Sequence, residues 1–238
     1  MYKNKKILAV IPARAGSKGL PNKNIIDLDG KPLIAWTVAQ ANKSNLIDRT
    51  IVSTDSKEIA RISKEYEADI PFIRPSDIAC DDTPMFDTLF HALFSLDEDY
   101  DILVLLEPTS PLRKVGDIDR GIRILIDNWD EFDSLVSLGK IHLENPEITK
   151  KVKEGIVIPY TDNSRRITRR QELSSSYFPY GVIYTSKVST FLSTRSFYQK
   201  RTMPMFIERW QNYEIDDIYD LLCVRSIINE TSDIIEGN

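Results

Sequence analysis

Cysteine and histidine are scarce in this chain, whose 238 residues hold two of each. Cys80 and Cys223 stand far apart, which argues against a disulfide framework and a cysteine-based zinc site. His91 and His142 have no second His or Cys at ligand spacing, so His91 reads as a helix residue and His142 as surface. Long apolar runs are missing too. The first is cut by Pro12 and Arg14, too early for a signal peptide or a membrane span, and a cytoplasmic protein without membrane partners is expected. Positive charge does not dominate: the formal net charge is −5, which removes the electrostatic ground for expecting nucleic acid. Two familiar phosphate loops are also absent. Gly16 and Gly19 are too close for G-x-x-x-x-G-K-[ST], Leu20 stands where that Lys should be, and no G-x-G-x-x-G triple occurs. No internal repeat or low-complexity segment is visible.

What is present is concentrated early. The run Ile7-Leu8-Ala9-Val10-Ile11-Pro12 reads as a strand buried on both faces of a parallel sheet. Directly after it come Ala13-Arg14-Ala15-Gly16-Ser17-Lys18-Gly19-Leu20-Pro21-Asn22-Lys23-Asn24. Glycines let backbone approach a ligand, and Arg14, Lys18 and Lys23 supply charge for several phosphate oxygens. Ser17 and the loop amides add donors. A solvated basic loop is the alternative, but open α/β sheets bind ligands just beyond their strand ends, and that position favours phosphate. Asn22 and Asn24 fit the loop equally well as turn residues.

Strands and helices alternate through the first half, as in a wound parallel sheet of the α/β class. Lys31-Pro32 opens a helix carrying Leu33, Ile34, Trp36 and Val38, and residues 50–54 read as a strand. Asp55 precedes Glu58 by three residues, a capping-box spacing, ahead of Ile59, Ile62 and Tyr66 on a helical face. Residues 70–73 read as a short strand ending in Arg74-Pro75-Ser76-Asp77. Pro84 suits the first turn of a helix with Phe86, Leu89, Phe90 and Leu93 on one stripe. Residues 101–106 hold a second apolar strand.

After Ser137 the alternation fails. Residues 139–176 are polar, with a candidate strand at 155–158 and the cationic run Arg165-Arg166-Ile167-Thr168-Arg169-Arg170, before βα order resumes at 180–184. A loop this long without structure is unusual in a compact domain, so the stretch is expected to hold hairpins and meet a partner. A disordered surface loop is the other reading.

The stretch I-P-A-R-A-G-S-K-G-L-P-N-K-N-I, residues 11–25, resembles the signature of sugar-activating nucleotidyltransferases, and in particular of the acylneuraminate cytidylyltransferase (CMP-sialic acid synthetase) family. Residues 106–113, L-E-P-T-S-P-L-R, are similar to that family's L-Q-P-T-S-P-L-R. The resemblance covers almost the whole chain. It implies a Rossmann-like nucleotidyltransferase fold with a mainly parallel central sheet and a single domain over residues 1–238. It also implies a dimerisation arm at about 139–176 that crosses to a second subunit. The implied reaction moves CMP from CTP to the anomeric hydroxyl of a sialic-acid-like nonulosonic acid, releasing pyrophosphate and giving a CMP-sugar for glycan biosynthesis. A 3-deoxy-octulosonate cytidylyltransferase and a nucleotide-binding module without catalysis are the alternatives.

The same resemblance distributes roles. Arg14 and Lys18 match residues that hold the triphosphate, Lys23 one beside the reacting phosphate, and Ser17 and Asn24 belong to the same nucleotide site. Arg74 matches an arginine on the cytosine side, where a guanidinium donates to the O2 and N3 edge; by itself it could equally cap a strand end. Asp81-Asp82-Thr83 falls near the ribose, with no single Asp assigned. Glu107, in place of the usual Gln, together with Arg170, Gln171 and Tyr180, falls on the sugar side. Glu214-Ile215-Asp216 stands where the family has D-x-D on a late strand. Alternate strand residues point the same way, so both carboxylates could face one Mg²⁺, with Asp216 counted among the catalytic residues beside Arg14 and Lys23. A helix N-cap at Asp216 or Asp217 competes with that reading. The departures cluster on the sugar side, which points to a nonulosonic acid other than ordinary N-acetylneuraminate, while the arm that the resemblance implies points to a homodimer with a shared sugar site.

Overall fold

Strand β1 (Ile7–Pro12) organises the molecule. Ile7 to Ile11 are fully buried, and strand alternation splits them between two apolar clusters. Ile7, Ala9 and Ile11 enter one, Leu8 and Val10 the other. The computed structural model describes residues 1–161 and 169–237.

After β1 come a small hairpin of β2 (Asp27–Leu28) and β3 (Lys31–Pro32), then α1 (Leu33–Asn42), β4 (Arg49–Ser53), α2 (Lys57–Glu65), α3 (Met85–Phe94) and β5 (Ile102–Leu105). α4 (Asp117–Asp127) leads into β6 (Ser134–Lys140), followed by the hairpin of β7 (Lys150–Lys153) and β8 (Ile156–Pro159). The long β9 (Tyr177–Lys187), α5 (Val188–Thr194), β10 (Thr202–Phe206) and α6 (Ile218–Glu236) complete the order.

Six strands form one sheet in the order β10-β6-β9-β5-β1-β4. Only β9 runs against its neighbours, so the expected mainly parallel sheet is present. Ile34, Val38, Ile59, Ile122 and Leu125, from α1, α2 and α4, cover one face. Leu89 and Ala92 of α3 and Phe191 of α5 cover the other. α6 lays Leu221, Val224 and Ile228 on Leu33 and Trp36 of α1. The chain leaves β1 for β4 on one side and reaches β5 on the other. The crevice beyond the carboxyl ends of β1 and β5 is therefore a topological switch point, where such sheets bind ligands.

Several local expectations need correction. Ser56, not Asp55, caps α2, its hydroxyl accepting from the Ile59 amide at 3.2 Å. Asp55 is drawn off to accept from the Ala15 amide at 3.0 Å, which ties the loop after β1 to the end of β4. Residues 70–73 form no strand. Asp69 makes a single bridge to Ile51, and Pro71 then removes a donor that a ladder would need. Pro84 is the cap position before α3 rather than part of its first turn.

Residues 214–216 also form no strand. They run as an extended segment tied to Thr109 through the Ile215 amide at 2.8 Å. Asp217 then caps α6, accepting from the Tyr219 and Asp220 amides. Asp216 is therefore not the cap, and its carboxylate pairs with Lys23 instead.

The βα order resumes at residue 180, inside β9 and followed by α5, β10 and α6, but β9 itself is antiparallel to its neighbours. β6 continues past Ser137 to Lys140, and the chain re-enters beside it as antiparallel β9, because it returns from an excursion that began at the same end. Within that excursion β8 supplies the expected strand, paired with β7. Val152, Ile156 and Val157 are all exposed on this hairpin. A two-stranded hairpin whose apolar side chains stay exposed is marginal in water. The base of the excursion is held by Asn145, buried, whose side-chain amide donates to the Ser174 carbonyl at 3.0 Å and the Ser176 hydroxyl at 2.9 Å. Cys80 and Cys223 are free and exposed. Among the described residues, no helix is long and apolar enough to cross a membrane.

Candidate active site

A cavity of about 310 Å³ opens at the switch point. The loop after β1 lines it with Arg14, Ser17, Lys18, Lys23 and Asn24. Arg74 and Asp81 come from the segment before α3, and Glu107 from the turn after β5. The loop holds its shape through its own residues. Asn22 takes the left-handed conformation at φ 52°, which Asn tolerates better than most residues, and so is a turn residue. Asn24 is buried and spends its side-chain amide on the Arg14 carbonyl at 2.9 Å, so it clamps the loop while lining the cavity. At Gly19 an added Cβ would collide with the Asp216 carbonyl oxygen. Only glycine lets the loop and the segment before α6 come this close.

That approach pairs the charges. Lys23 Nζ lies 2.7 Å from Asp216, whose side chain is 79% exposed. Asp81 takes both other loop cations, an ion pair with Arg14 and one with Lys18 at 2.8 Å. These two hydrogen bonds hold the Asp81 carboxyl below its ordinary range. Any anion drawn to Arg14 and Lys18 must compete with Asp81. Exposed ion pairs are worth up to about 1 kcal/mol each, so Asp81→Asn is expected to tighten binding of inorganic tripolyphosphate roughly three- to tenfold at low salt. Titration calorimetry checks this, and an unchanged dissociation constant would show that Asp81 does not compete.

Arg74 is 4% exposed. Its Nη1 donates to the Thr88 hydroxyl at 2.8 Å, while Nε and Nη2 are buried with no hydrogen-bond partner among the described residues. Asp55 is 3.9 Å from Nη2, a charge partner rather than an acceptor. Burial pushes the guanidinium down from its ordinary range; Asp55 opposes that shift and Arg14 adds to it. Nε and Nη2 form one edge of the planar fork, suited to two adjacent acceptors. A strand-end cap would leave no such edge open.

Beyond Lys23 the cavity turns acidic. The Glu214 carboxylate accepts from the Ser110 hydroxyl at 2.7 Å and from the Gly181 amide. Glu107 lies beside it, and burial and the Glu214 charge raise its carboxyl to about 7. Asp216 adds to that rise, while Arg113 and Lys23 oppose it. Glu214 and Asp216 thus have different partners, and the shared carboxylate pair expected from strand alternation is not built. Among the described residues, no group of three or more His, Cys, Asp or Glu side chains could hold a metal. Asp216 remains exposed beside the cationic loop.

Tyr180 faces a neighbouring cavity of about 340 Å³ with Arg209 and Tyr213, and its ring lies 5.0 Å from Phe178. Gln171 is exposed in a single 3-10 turn. The Arg170 side chain, and Arg165, Arg166 and Thr168, lie outside the described residues. Three residues that shape the site carry no expectation from sequence: Thr88, Ser110 and above all Arg113. Arg113 is fully buried behind Glu107. A charged residue closing an apolar motif was the available signal.

A profile described as cytidylyltransferase matches residues 8–234. A CMP-N,N'-diacetyllegionaminic acid synthase of Legionella pneumophila is 36% identical over 206 residues, 85% of this chain and 87% of that one. An N-acylneuraminate cytidylyltransferase of Escherichia coli O18:K1:H7 is 32% identical over 90% of this chain, which spans 50% of that relative's length. In fold, the chain resembles a CMP:2-keto-3-deoxy-manno-octonic acid synthetase solved with CTP, with a TM-score of 0.69 and 18% identity over 94% of this chain and 99% of that one.

Proposed function

The chain belongs to the cytidylyltransferase family, and from that premise we propose that it transfers CMP from CTP to the anomeric hydroxyl of a sialic-acid-like nonulosonic acid, releasing pyrophosphate. The observation that carries this reading is the Arg74 fork, buried with two unpartnered nitrogens in the same cavity as three loop cations. Cytosine offers adjacent O2 and N3 acceptors, whereas uracil puts an N–H at position 3. Arg14 and Lys18 take the outer phosphates, releasing Asp81. Lys23 takes the oxygens at the reacting phosphorus, with Ser17 and the loop amides as further donors. The sugar approaches from the end at Glu107, placing its hydroxyl in line with the departing pyrophosphate.

Asp216 suits a magnesium ion that the triphosphate also ligates, since one exposed carboxylate plus phosphate oxygens is a common arrangement for this hard cation. When bound, the ion supplies charge to the leaving pyrophosphate. The chain's own part is to keep Lys23 within reach of both Asp216 and the phosphates. The exposed β7–β8 hairpin supports a homodimer in which the arm at 139–176 of one copy meets the sugar end of the other.

The test is pyrophosphate release with a panel of nonulosonic acids, offering CTP or UTP. A mismatched buried donor costs about 1–3 kcal/mol, so CTP is expected to be preferred by roughly tenfold or more. Equal turnover of the two nucleotides would remove cytosine from the reading, and failure with every sugar would remove the transfer itself.

A further inference from the structure

At the acceptor end Glu107 lines the cavity with the Glu214 carboxyl beside it, and among the described residues no cation donates to Glu107. An added Cβ at Gly181 would collide with Glu107 Oε2 and would lie 2.7 Å from Ser110 Oγ and 2.9 Å from Glu214 Oε1. The three oxygens therefore converge on one backbone position. Glu214 has two neutral donors there. The Glu107 carboxyl accepts a hydrogen bond from none of the described residues, and only its backbone carbonyl is engaged.

Arg113 is the obvious counter-ion, yet its five N–H groups are all committed elsewhere. Nε donates to the Val182 carbonyl at 2.6 Å. One Nη1 proton goes to the Thr37 hydroxyl at 2.9 Å and one to Gln40 Oε1 at 3.2 Å. Nη2 serves the Glu107 and Gly181 carbonyls at 2.7 and 2.9 Å. A guanidinium has no sixth donor. Lys23 is engaged by Asp216 at 2.7 Å. One carboxyl thus stands in the cavity wall with a second acid beside it, and both described cations that act on it, Arg113 and Lys23, are engaged elsewhere.

Among the described residues that partner is missing, and a bound sugar can bring it. Once Glu107 is ionised, a sugar carboxylate is opposed by like charge. A hydroxyl or a neutral acetamido group supplies a single donor and no charge. An amidinium supplies a positive charge and a planar pair of N–H groups that meets a carboxylate in two parallel hydrogen bonds.

We propose that Glu107 makes this site selective for a nonulosonic acid bearing a cationic nitrogen substituent, an amidino group above all, in place of a neutral acetamido group. The assignment rests on the transfer reaction proposed above. Two sugars that differ only in acetamidino against acetamido, compared at about pH 8 by pyrophosphate release with CTP, provide the test. Wild-type protein is expected to favour the acetamidino sugar by about tenfold or more in kcat/KM. Glu107→Gln, shown to be folded by thermal unfolding, is expected to erase or reverse that preference. Equal use of both sugars by wild type would overturn the proposal, as would a preference that survives Glu107→Gln. In those outcomes sugar activation itself still stands. If neither these nor any other nonulosonic acid releases pyrophosphate, the transfer reaction fails and the selectivity falls with it.

Discussion

Lys23→Met is expected to lower kcat at saturating CTP by roughly 10²–10³. Methionine keeps nearly the length and volume of the lysine stem, so the loop after β1 should hold its course through Asn24 and the close contact at Gly19. What is lost is a cation in the cavity wall, 16% exposed and already ordered against Asp216. Charge that is pre-positioned where negative charge develops counts for far more than the same charge in water, and removing one such group typically costs about 3 kcal/mol of transition-state stabilisation. Because pyrophosphate charge grows as the bond breaks, the loss should fall on kcat more than on KM. Pyrophosphate release under multiple and single turnover measures the split. A variant with normal kcat and only a raised KM would show that Lys23 binds the ground state alone.

The second expectation concerns stability and pH. The Glu107 carboxyl sits at about 7 in the folded protein, against an ordinary value of 4.5, because of burial first and the Glu214 charge second. Its folded-state value is raised, so folding favours the protonated acid. Below about pH 4.5 both states are protonated and the group costs nothing. As pH rises toward 7 the unfolded chain loses its proton first, and stability falls until the folded group ionises as well. From 4.5 to about 7, at about 1.36 kcal/mol per unit, the penalty is roughly 3 kcal/mol. Glu107→Gln should therefore be more stable than wild type by about that amount at pH 8 and by little at pH 4.5. Urea unfolding at the two pH values checks it. A difference of similar size at both would place the effect in packing rather than charge.

Why some of this was legible in sequence and some was not follows from range. The apolar run before Arg14 has partners on both sides, so its burial is written in residue type alone. The cations after it stand where a strand end in an open sheet puts them. Arg74 could be suspected from its motif, but its open edge depends on Thr88 taking Nη1, a contact that sequence spacing does not express. Asp55 had the right spacing for a cap and lost the position to its neighbour, because the Ala15 amide, forty residues away in the chain, offered a better use of its carboxylate. The pairing of Glu214 with Asp216 failed for a related reason. Strand alternation holds only where a ladder enforces it, and this segment has a single backbone tie to Thr109. Arg113 shows the limit most plainly. Its five acceptors come from α1, β9 and its own turn, and no local pattern announces such a convergence.

The place of β9 in the sheet also bears on how the chain reaches its native state. β9 joins β4-β1-β5 on one side to β6-β10 on the other, yet its residues leave the ribosome after those of β4, β1, β5 and β6. Until Lys187 has emerged, β5 presents an open, fully apolar edge, the kind of surface that pairs with other chains. Joining the halves requires contacts distant in sequence, which makes this step slow. Cooling, or a chaperone that covers an apolar edge, should therefore raise the yield of folded protein in synthesis. The strand that removes the hazard also brings in Gly181, so catalytic competence and protection from aggregation arrive in one event.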